Sequence, residues 1–352
     1  METKVKTIDV EKMQPEDLEE AVEILQSGGL VAFPTETVYG LGGNALDEFA
    51  AKKIYEAKGR PSDNPLIVHI SNSSYLHKLA REIPDKVSRL AEAFWPGPLT
   101  IILKKKEQVP DGTTGGLDTV AVRMPDHKLA LALIEQSGVM IAAPSANVSG
   151  RPSPTKAEHV KEDLNGKINM ILDGGMVGIG LESTILDLTE EIPVILRPGA
   201  ITQSMLEAVI GTVAVDKGIL KENQGKELKP KAPGMKYKHY APTGQLFIVE
   251  GKTKDIIDYI NKQIYQQEQK NKRIGVICTD ETRIKYKGKI VKSIGTRQEE
   301  GTIARRLYDL LREFDTLGVE IIYSESFYSN ELGQAIMNRL LKAAGYQVIK
   351  VS

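Results

Sequence analysis

The chain contains a single cysteine, Cys278. It cannot close an intramolecular disulfide, and no C-x-x-C pair exists for zinc or redox work, a thiol usage that fits a reducing cytoplasm. Long apolar runs are missing too. The longest, Leu129 to Ile134, falls far short of the roughly 20 residues that span a bilayer. The opening Met-Glu-Thr-Lys has neither the charged nor the apolar region of a secretory leader. A soluble, unexported, cytoplasmic protein with no membrane partner is expected. A charge imbalance is also absent: 46 Lys+Arg against 47 Asp+Glu leave −1, which argues against a dedicated nucleic-acid coat while leaving room for a local basic patch.

What is present is the composition of a folded protein, 41% apolar and 26% charged over 352 residues. That length exceeds what one hydrophobic core usually serves, so two domains are expected. Pro15 followed by Leu18, Val22 and Leu25, closed by Gly28 and Gly29, predicts an amphipathic helix over 15–27. Short apolar strands are predicted at 30–33, 65–70, 99–103, 119–124, 139–143, 168–172, 184–188 and 194–196, with helices at 47–58, 75–95, 127–137, 155–164 and 202–210 between them. Such alternation implies a layered α/β domain, and the crowded strands after 168 make part of its sheet mixed or antiparallel. Residues 217–243 hold seven lysines with Pro230 and Pro233 and no apolar periodicity, the pattern of a linker. The strand–helix rhythm then restarts as a second α/β unit of about 110 residues. The domains are therefore read as 1–211, a linker at 212–243, and 244–352.

The chemistry-bearing residues lie just past these strands, where ligands of α/β proteins sit. PTETVYGLG, Pro34 to Gly42, offers the hydroxyls of Thr35, Thr37 and Tyr39, with close backbone approach expected at Gly40 and Gly42. Its loose match to a dinucleotide fingerprint is rejected, because Pro34 to Tyr39 separate the strand from the glycines. KGRPSDNPL supplies Lys58, Arg60 and Asn64 in a proline-stiffened loop, followed by His69 inside the next strand. The two cations could simply complement a helix dipole, yet together with their neighbours they resemble an anion-binding corner. Ala143 to Thr155 brings Ser145, Asn147, Ser149 and Ser153 into a loop too rich in proline to be helical. Glu182-Ser-Thr, Arg197-Pro-Gly and Arg123 place further hydroxyls and cations at strand ends. No phosphate loop, H-E-x-x-H or G-x-S-x-G occurs, and the five histidines show no metal-ligand spacing. Hydroxyls and guanidiniums without a protein nucleophile suit a reaction in which one substrate attacks another, as in phosphoryl or nucleotidyl transfer.

In this order these segments resemble the YrdC/YwlC family of L-threonylcarbamoyladenylate synthases, and Ala232 to Pro242 resembles the strap preceding the extra C-terminal domain of its longer members. The resemblance implies a YrdC-like twisted mixed sheet with flanking helices, plus a smaller Rossmann-like three-layer α/β domain. It implies a nucleotidyltransferase that makes threonylcarbamoyl-AMP and pyrophosphate from L-threonine, bicarbonate and ATP, usually with Mg2+, for tRNA threonylcarbamoyladenosine modification. Downstream threonylcarbamoyl-transferase proteins, and tRNA contact, follow as implied partners. Carried over by motif, Lys58, Arg60, Ser145 and Asn147 form the catalytic signature. Arg60, Asn64, Thr119, Ser145, Ser153, Arg197 and Tyr237 go to ATP. Thr35 or Thr37, with His69, Arg123, Ala143 and Ser183, go to threonine; the metal ligands are unassigned. The strap ending in Tyr237, His239 and Tyr240 could close over the site as a lid. A double-stranded RNA or tRNA binding module without catalysis is the alternative, kept open by Lys104 to Lys106 and the linker lysines.

Overall fold

The computed structural model describes residues 2–216, 218–219, 240–328 and 332–352. Most of the linker, including Tyr237 and His239, lies outside the described residues. Two compact units are formed. The first runs to Ser149 and from Ser153 to Ile219; the second takes Gly150–Pro152 and runs from Tyr240 onward.

In the first unit the described residues build an eleven-stranded sheet. Its order is Lys4–Thr7, Met170–Asp173, Val31–Phe33, Gly40–Asn44, Ile141–Ala142, Ile67–His69, Thr119–Arg123, Leu99–Lys104, Thr184–Asp187, Val194–Arg197 and Ala214–Val215. Pairing is mixed as expected: Ile67–His69 runs parallel to Thr119–Arg123, whereas Leu99–Lys104 is antiparallel to the latter and parallel to Thr184–Asp187. Helices cover the sheet, and their buried residues, Leu18, Leu25, Leu129, Leu133 and Ile134 among them, pack with the apolar strand residues into the core.

Local chemistry explains most boundaries. The helix Glu48–Lys58 starts at Asp47, whose side chain accepts from the Phe49 amide at 2.9 Å, and stops at Gly59, which adopts the left-handed conformation with φ 59°. The helix expected over 75–95 is instead two, Leu76–Leu79 and Asp85–Phe94. Ala80 turns extended and bridges Lys105, which ends the first, and Pro84, which has no N–H to donate, stands at the start of the second. The Lys4–Thr7 strand carries no apolar run because it lies at the sheet edge, where Lys4 pairs with Glu20 and Lys6 donates to the Asp17 carbonyl at 2.6 Å.

The Gly40 and Gly42 expectation needs correcting. Both lie in the Gly40–Asn44 strand, which pairs antiparallel with Val31–Phe33, so PTETVY forms a six-residue connection within a hairpin. A Cβ at Gly42 would stand 2.7 Å from both Ile141 Cγ2 and Phe33 Cε1. Gly42 is thus required by packing within the sheet, and no ligand needs to approach it.

The second unit is a five-stranded, wholly parallel sheet in the order Ile290–Ser293, Ile274–Cys278, Ile321–Glu325, Gln245–Glu250 and Val348–Lys350. Helices Thr253–Glu268, Glu300–Thr316 and Leu332–Ala343 connect its strands, giving the three-layer architecture expected. The first helix buries Ile256, Ile260 and Ile264 against Val249, Val276 and Tyr323.

Candidate functional site

The register of the central strands gathers the candidate residues of the first unit along one edge. His69 pairs with Arg123 across parallel strands, and Arg123 also pairs with Thr100 on its antiparallel neighbour. Leu99 pairs with Thr184, which brings Ser183 to the same edge; Ala142 pairs with Val68 on an antiparallel strand, so Ala143 lies beside Ile67, two residues back from His69, with its amide donating to the Ile67 carbonyl at 2.9 Å. The edge combines the carboxyl ends of the parallel strands Ile67–His69 and Thr119–Arg123, where ligands of α/β sheets collect, with the amino ends of Leu99–Lys104 and Thr184–Asp187.

Arg123 is the centre of one cluster. Its guanidinium is 4% exposed; Nη1 donates to Thr37 Oγ1 at 2.9 Å and Nε to the Gly97 carbonyl at 3.3 Å. Nη2 lies 2.6 Å from Glu36 Oε1, and both side chains are almost wholly buried. This ion pair lacks hydrogen-bond alignment, so Arg123 Nη2 and both Glu36 oxygens have no hydrogen-bond partner. The two threonine hydroxyls are 2.8 Å apart and hydrogen-bonded to each other, yet their other contacts differ. Thr35 Oγ1 donates to the Val38 carbonyl at 2.7 Å and accepts from the Thr37 and Val38 amides, which makes it the pin of the turn. Thr37, fully buried, is the hydroxyl that meets Arg123.

His69 is 4% exposed, with Nδ1 3.1 Å from the Ile67 carbonyl and its ring edge-on to Phe33. Burial, then the neighbouring Arg123 charge, push its pKa down to about 3, so the imidazole is neutral. Burial also lowers the pKa of His127, whose Nδ1 has no hydrogen-bond partner. The depressed pKa of His69 fixes a pH dependence. The unfolded chain protonates this histidine below about 6.5, the folded chain only near 3, so stability falls as pH drops through that window. Between about pH 6.5 and 5, His69→Gln should reduce the stability loss by up to about 2 kcal/mol. Some loss remains, because His127 contributes with the same sign; Tm measured across pH for both chains checks it.

A second cluster joins Ser183, Thr100 and Arg197. Ser183 is fully buried; its Oγ is 2.7 Å from Thr100 Oγ1 and accepts from Arg197 Nη2 at 3.0 Å, while its carbonyl accepts from Arg197 Nε at 3.0 Å. Nearby in sequence, Ser153 donates to Glu182 Oε1 at 2.6 Å.

The third cluster ties the two signature motifs together. Lys58, 1% exposed, donates from Nζ to the Ser145 and Asn147 carbonyls, each at 2.5 Å. Ser145 Oγ donates to Asn147 Oδ1 at 2.5 Å, and the Ser149 amide donates to the Lys58 carbonyl at 2.9 Å. Lys58 therefore shapes the Ser145–Ser149 loop. Arg60 curls back on its own loop, donating to the Asn64 and Pro65 carbonyls. It also lines a cavity of about 770 Å³ with Phe49, Lys52, Tyr55 and Ser62. Asn64 is 1% exposed and its Oδ1 accepts nothing, an unfilled acceptor that a ligand could satisfy.

Not every candidate converges. Thr119 begins the strand that Arg123 ends, about 13 Å away, and extending the Ile67↔Ala121 register sets it beside Pro65. It belongs with Arg60 and Asn64, apart from the Arg123 cluster. Reading of the sequence missed Glu36, Thr100 and His127. Glu36 stands between two threonines in a motif already singled out for its hydroxyls and glycines.

The Sua5/YciO/YrdC family model, described as telomere recombination, matches residues 23–199, and that of the threonylcarbamoyl-AMP synthase C-terminal domain matches 201–345. The chain is 54% identical over 332 residues to the threonylcarbamoyl-AMP synthase of Bacillus subtilis, covering 94% of each protein. It is 52% identical over 332 residues to that of Pyrococcus abyssi, covering 94% of this chain and 95% of the other. Among solved structures it is similar to P. abyssi Sua5 complexed with L-threonine, with a TM-score of 0.93 and 48% identity over 99% of this chain and 100% of that one.

Proposed function

The chain belongs to the Sua5/YciO/YrdC family in its two-domain threonylcarbamoyl-AMP synthase form, and from that premise we propose that it makes threonylcarbamoyl-AMP and pyrophosphate from L-threonine, bicarbonate and ATP. It is a nucleotidyltransferase: threonine and bicarbonate condense with loss of water to N-carboxythreonine, whose new carboxylate, on nitrogen, attacks the α-phosphate of ATP and pyrophosphate leaves. The observation that carries the reading is the buried Arg123 guanidinium beside the Thr37 hydroxyl and the neutral His69 ring. It is a pocket with one cation for a carboxylate and small polar groups for a hydroxyl.

Arg123 takes the threonine carboxylate, while Thr37, Ser183, His69 and the Ala143 backbone surround the rest of the amino acid. Thr35 acts indirectly by holding the turn. Arg197, fixed on Ser183, joins Arg60, Asn64, Thr119, Ser145, Ser153 and Tyr237 as the ATP set. Substrate attacks substrate, so the protein contributes orientation and charge neutralisation. Among the described residues no group of three or more His, Cys, Asp or Glu is arranged to hold a metal. These residues do not form a magnesium cage, and Mg2+ accompanying ATP would be held by phosphate oxygens. The product passes to threonylcarbamoyl-transferase proteins acting on tRNA, in the cytoplasm. Among the described residues no helix is long and apolar enough to cross a membrane.

Pyrophosphate release from ATP that requires both threonine and bicarbonate tests the reading. RNA binding that collapses with salt, without such release, would replace it with the RNA-binding module. Substrate choice gives a graded check. Losing one methyl costs a pocket about 1–3 kcal/mol, whereas losing the hydroxyl leaves buried polar groups unpaired. Serine should therefore be disfavoured by roughly 10–200-fold in kcat/KM and valine by about 10⁴-fold. Equal rates with threonine and valine would contradict a hydroxyl-reading pocket.

A further inference from the structure

Glu36 has no part in the reaction as described, yet it sits at the threonine pocket in an unusual state. Its side chain is 11% exposed, and its partner within ion-pair distance is Arg123, 5% exposed, at 2.6 Å. Neither Glu36 oxygen accepts a hydrogen bond, and the facing Arg123 Nη2 donates none. Holding a carboxylate out of water is costly unless its lone pairs are filled, and one misaligned ion pair fills few of them. The backbone around it is fixed: the Glu36 carbonyl accepts from the Ile179 amide at 2.8 Å and the Thr37 carbonyl from the Gly180 amide at 3.0 Å. The carboxylate is therefore held at this position with its bonding capacity unused.

An α-amino acid is a zwitterion. If Arg123 takes its carboxylate, the ammonium sits one carbon further on and needs acceptors close to that same guanidinium, of which an anion is the strongest. The other groups that meet or neighbour Arg123 cannot serve as one. Thr37 offers a hydroxyl, Gly97 a carbonyl, and His69 is neutral. Glu36 is the carboxylate already in contact with Arg123.

We propose that Glu36 is the specificity-determining residue for the substrate's α-ammonium. In the empty pocket it stands in for the substrate carboxylate on Arg123; in the loaded pocket the substrate carboxylate takes Arg123 and Glu36 takes the ammonium. The exchange keeps the site neutral both before and after the amino acid enters and lets a buried cation persist without substrate. This rests on the reading of the pocket as a threonine site.

The test is calorimetric titration of the full chain with L-threonine and with (R)-3-hydroxybutanoate, the same molecule without its amine. A hydrogen bond to a charged group is worth about 1.5–3 kcal/mol, so wild-type protein should prefer threonine by roughly 10–100-fold. In Glu36→Gln that preference should collapse to within about threefold, with threonine weakened by about 10–100-fold and (R)-3-hydroxybutanoate unchanged or tighter. Equal weakening of both ligands would make Glu36 a structural clamp on Arg123 and overturn the proposal, as would an undiminished preference. Glu36→Asp, which keeps the charge on a shorter arm, should retain a preference for threonine; if it matches Glu36→Gln, charge recognition is excluded. Wild-type protein that binds neither ligand would remove the threonine site itself, a failure distinct from one confined to the variants.

Discussion

Arg123→Ala is expected to remove nearly all threonine-dependent pyrophosphate release and, in the same step, to destabilise the chain. Both effects come from burial. The guanidinium is 4% exposed and holds Thr37 Oγ1, the Gly97 carbonyl and Glu36 together. Removing one partner of a buried ion pair leaves the other charge uncompensated, a loss of about 3–5 kcal/mol. For binding, a carboxylate entering without its cation costs a further 2–5 kcal/mol or so, about 30- to 5,000-fold in kcat/KM for threonine. A double replacement separates the two effects. Arg123→Met with Glu36→Leu removes both charges and fills similar volume, so it should recover most of the lost Tm. It should recover none of the threonine-dependent turnover. If Arg123→Ala keeps kcat/KM for threonine within about tenfold of wild type, the carboxylate is held elsewhere and the pocket is wrongly centred.

What could be read from the sequence divides along the range of the interaction involved. Alternating apolar runs and amphipathic segments are local, and they correctly announced two α/β units and a partly antiparallel sheet around Thr184–Asp187 and Val194–Arg197. The ordered motifs announced the family, because chemistry-bearing residues gather in loops after strands and keep their spacing there. Pairings that depend on register were invisible. Nothing around Ser183 shows that Thr100, 83 positions away, faces it at 2.7 Å, or that Arg197 spans both atoms of its reach. Gly42 was read as room for a ligand because its spacing looked functional; only the packed neighbours Ile141 and Phe33 show why a side chain is excluded there. The Lys4–Thr7 edge strand lacked an apolar run, and the helix over 75–95 was overextended across Pro84. Glu36 was passed over because a glutamate between threonines carries no mark of burial.

The same contrast bears on Lys58, for which spacing and geometry point to different roles. By motif it is a catalytic cation beside Arg60. By geometry it is a buried ammonium, two of whose three donors are taken by the Ser145 and Asn147 carbonyls at 2.5 Å. Lys58→Met keeps much of the side-chain volume and abolishes both bonds. Each stranded carbonyl costs about 1–3 kcal/mol, partly offset because an ammonium no longer has to be buried. A net loss of roughly 3 kcal/mol would lower Tm by about 6–12 °C in a unit of this size. Turnover should fall with it by a factor of ten or more (about 1.4 kcal/mol per tenfold), because Ser145 and Asn147 lose the support that sets their loop. Arg60→Ala is the control. Arg60 donates to the Asn64 and Pro65 carbonyls of its own loop at 3.4 and 3.2 Å and lines an open cavity, so its loss should reduce ATP-dependent turnover with a smaller change in Tm than Lys58→Met. If Lys58→Met instead melts where wild type does while losing turnover, the ammonium acts on substrate and the motif reading is the right one. If it loses Tm and turnover together while Arg60→Ala loses turnover with less of the Tm, the two halves of the signature do different work: one builds the loop, the other meets the phosphates.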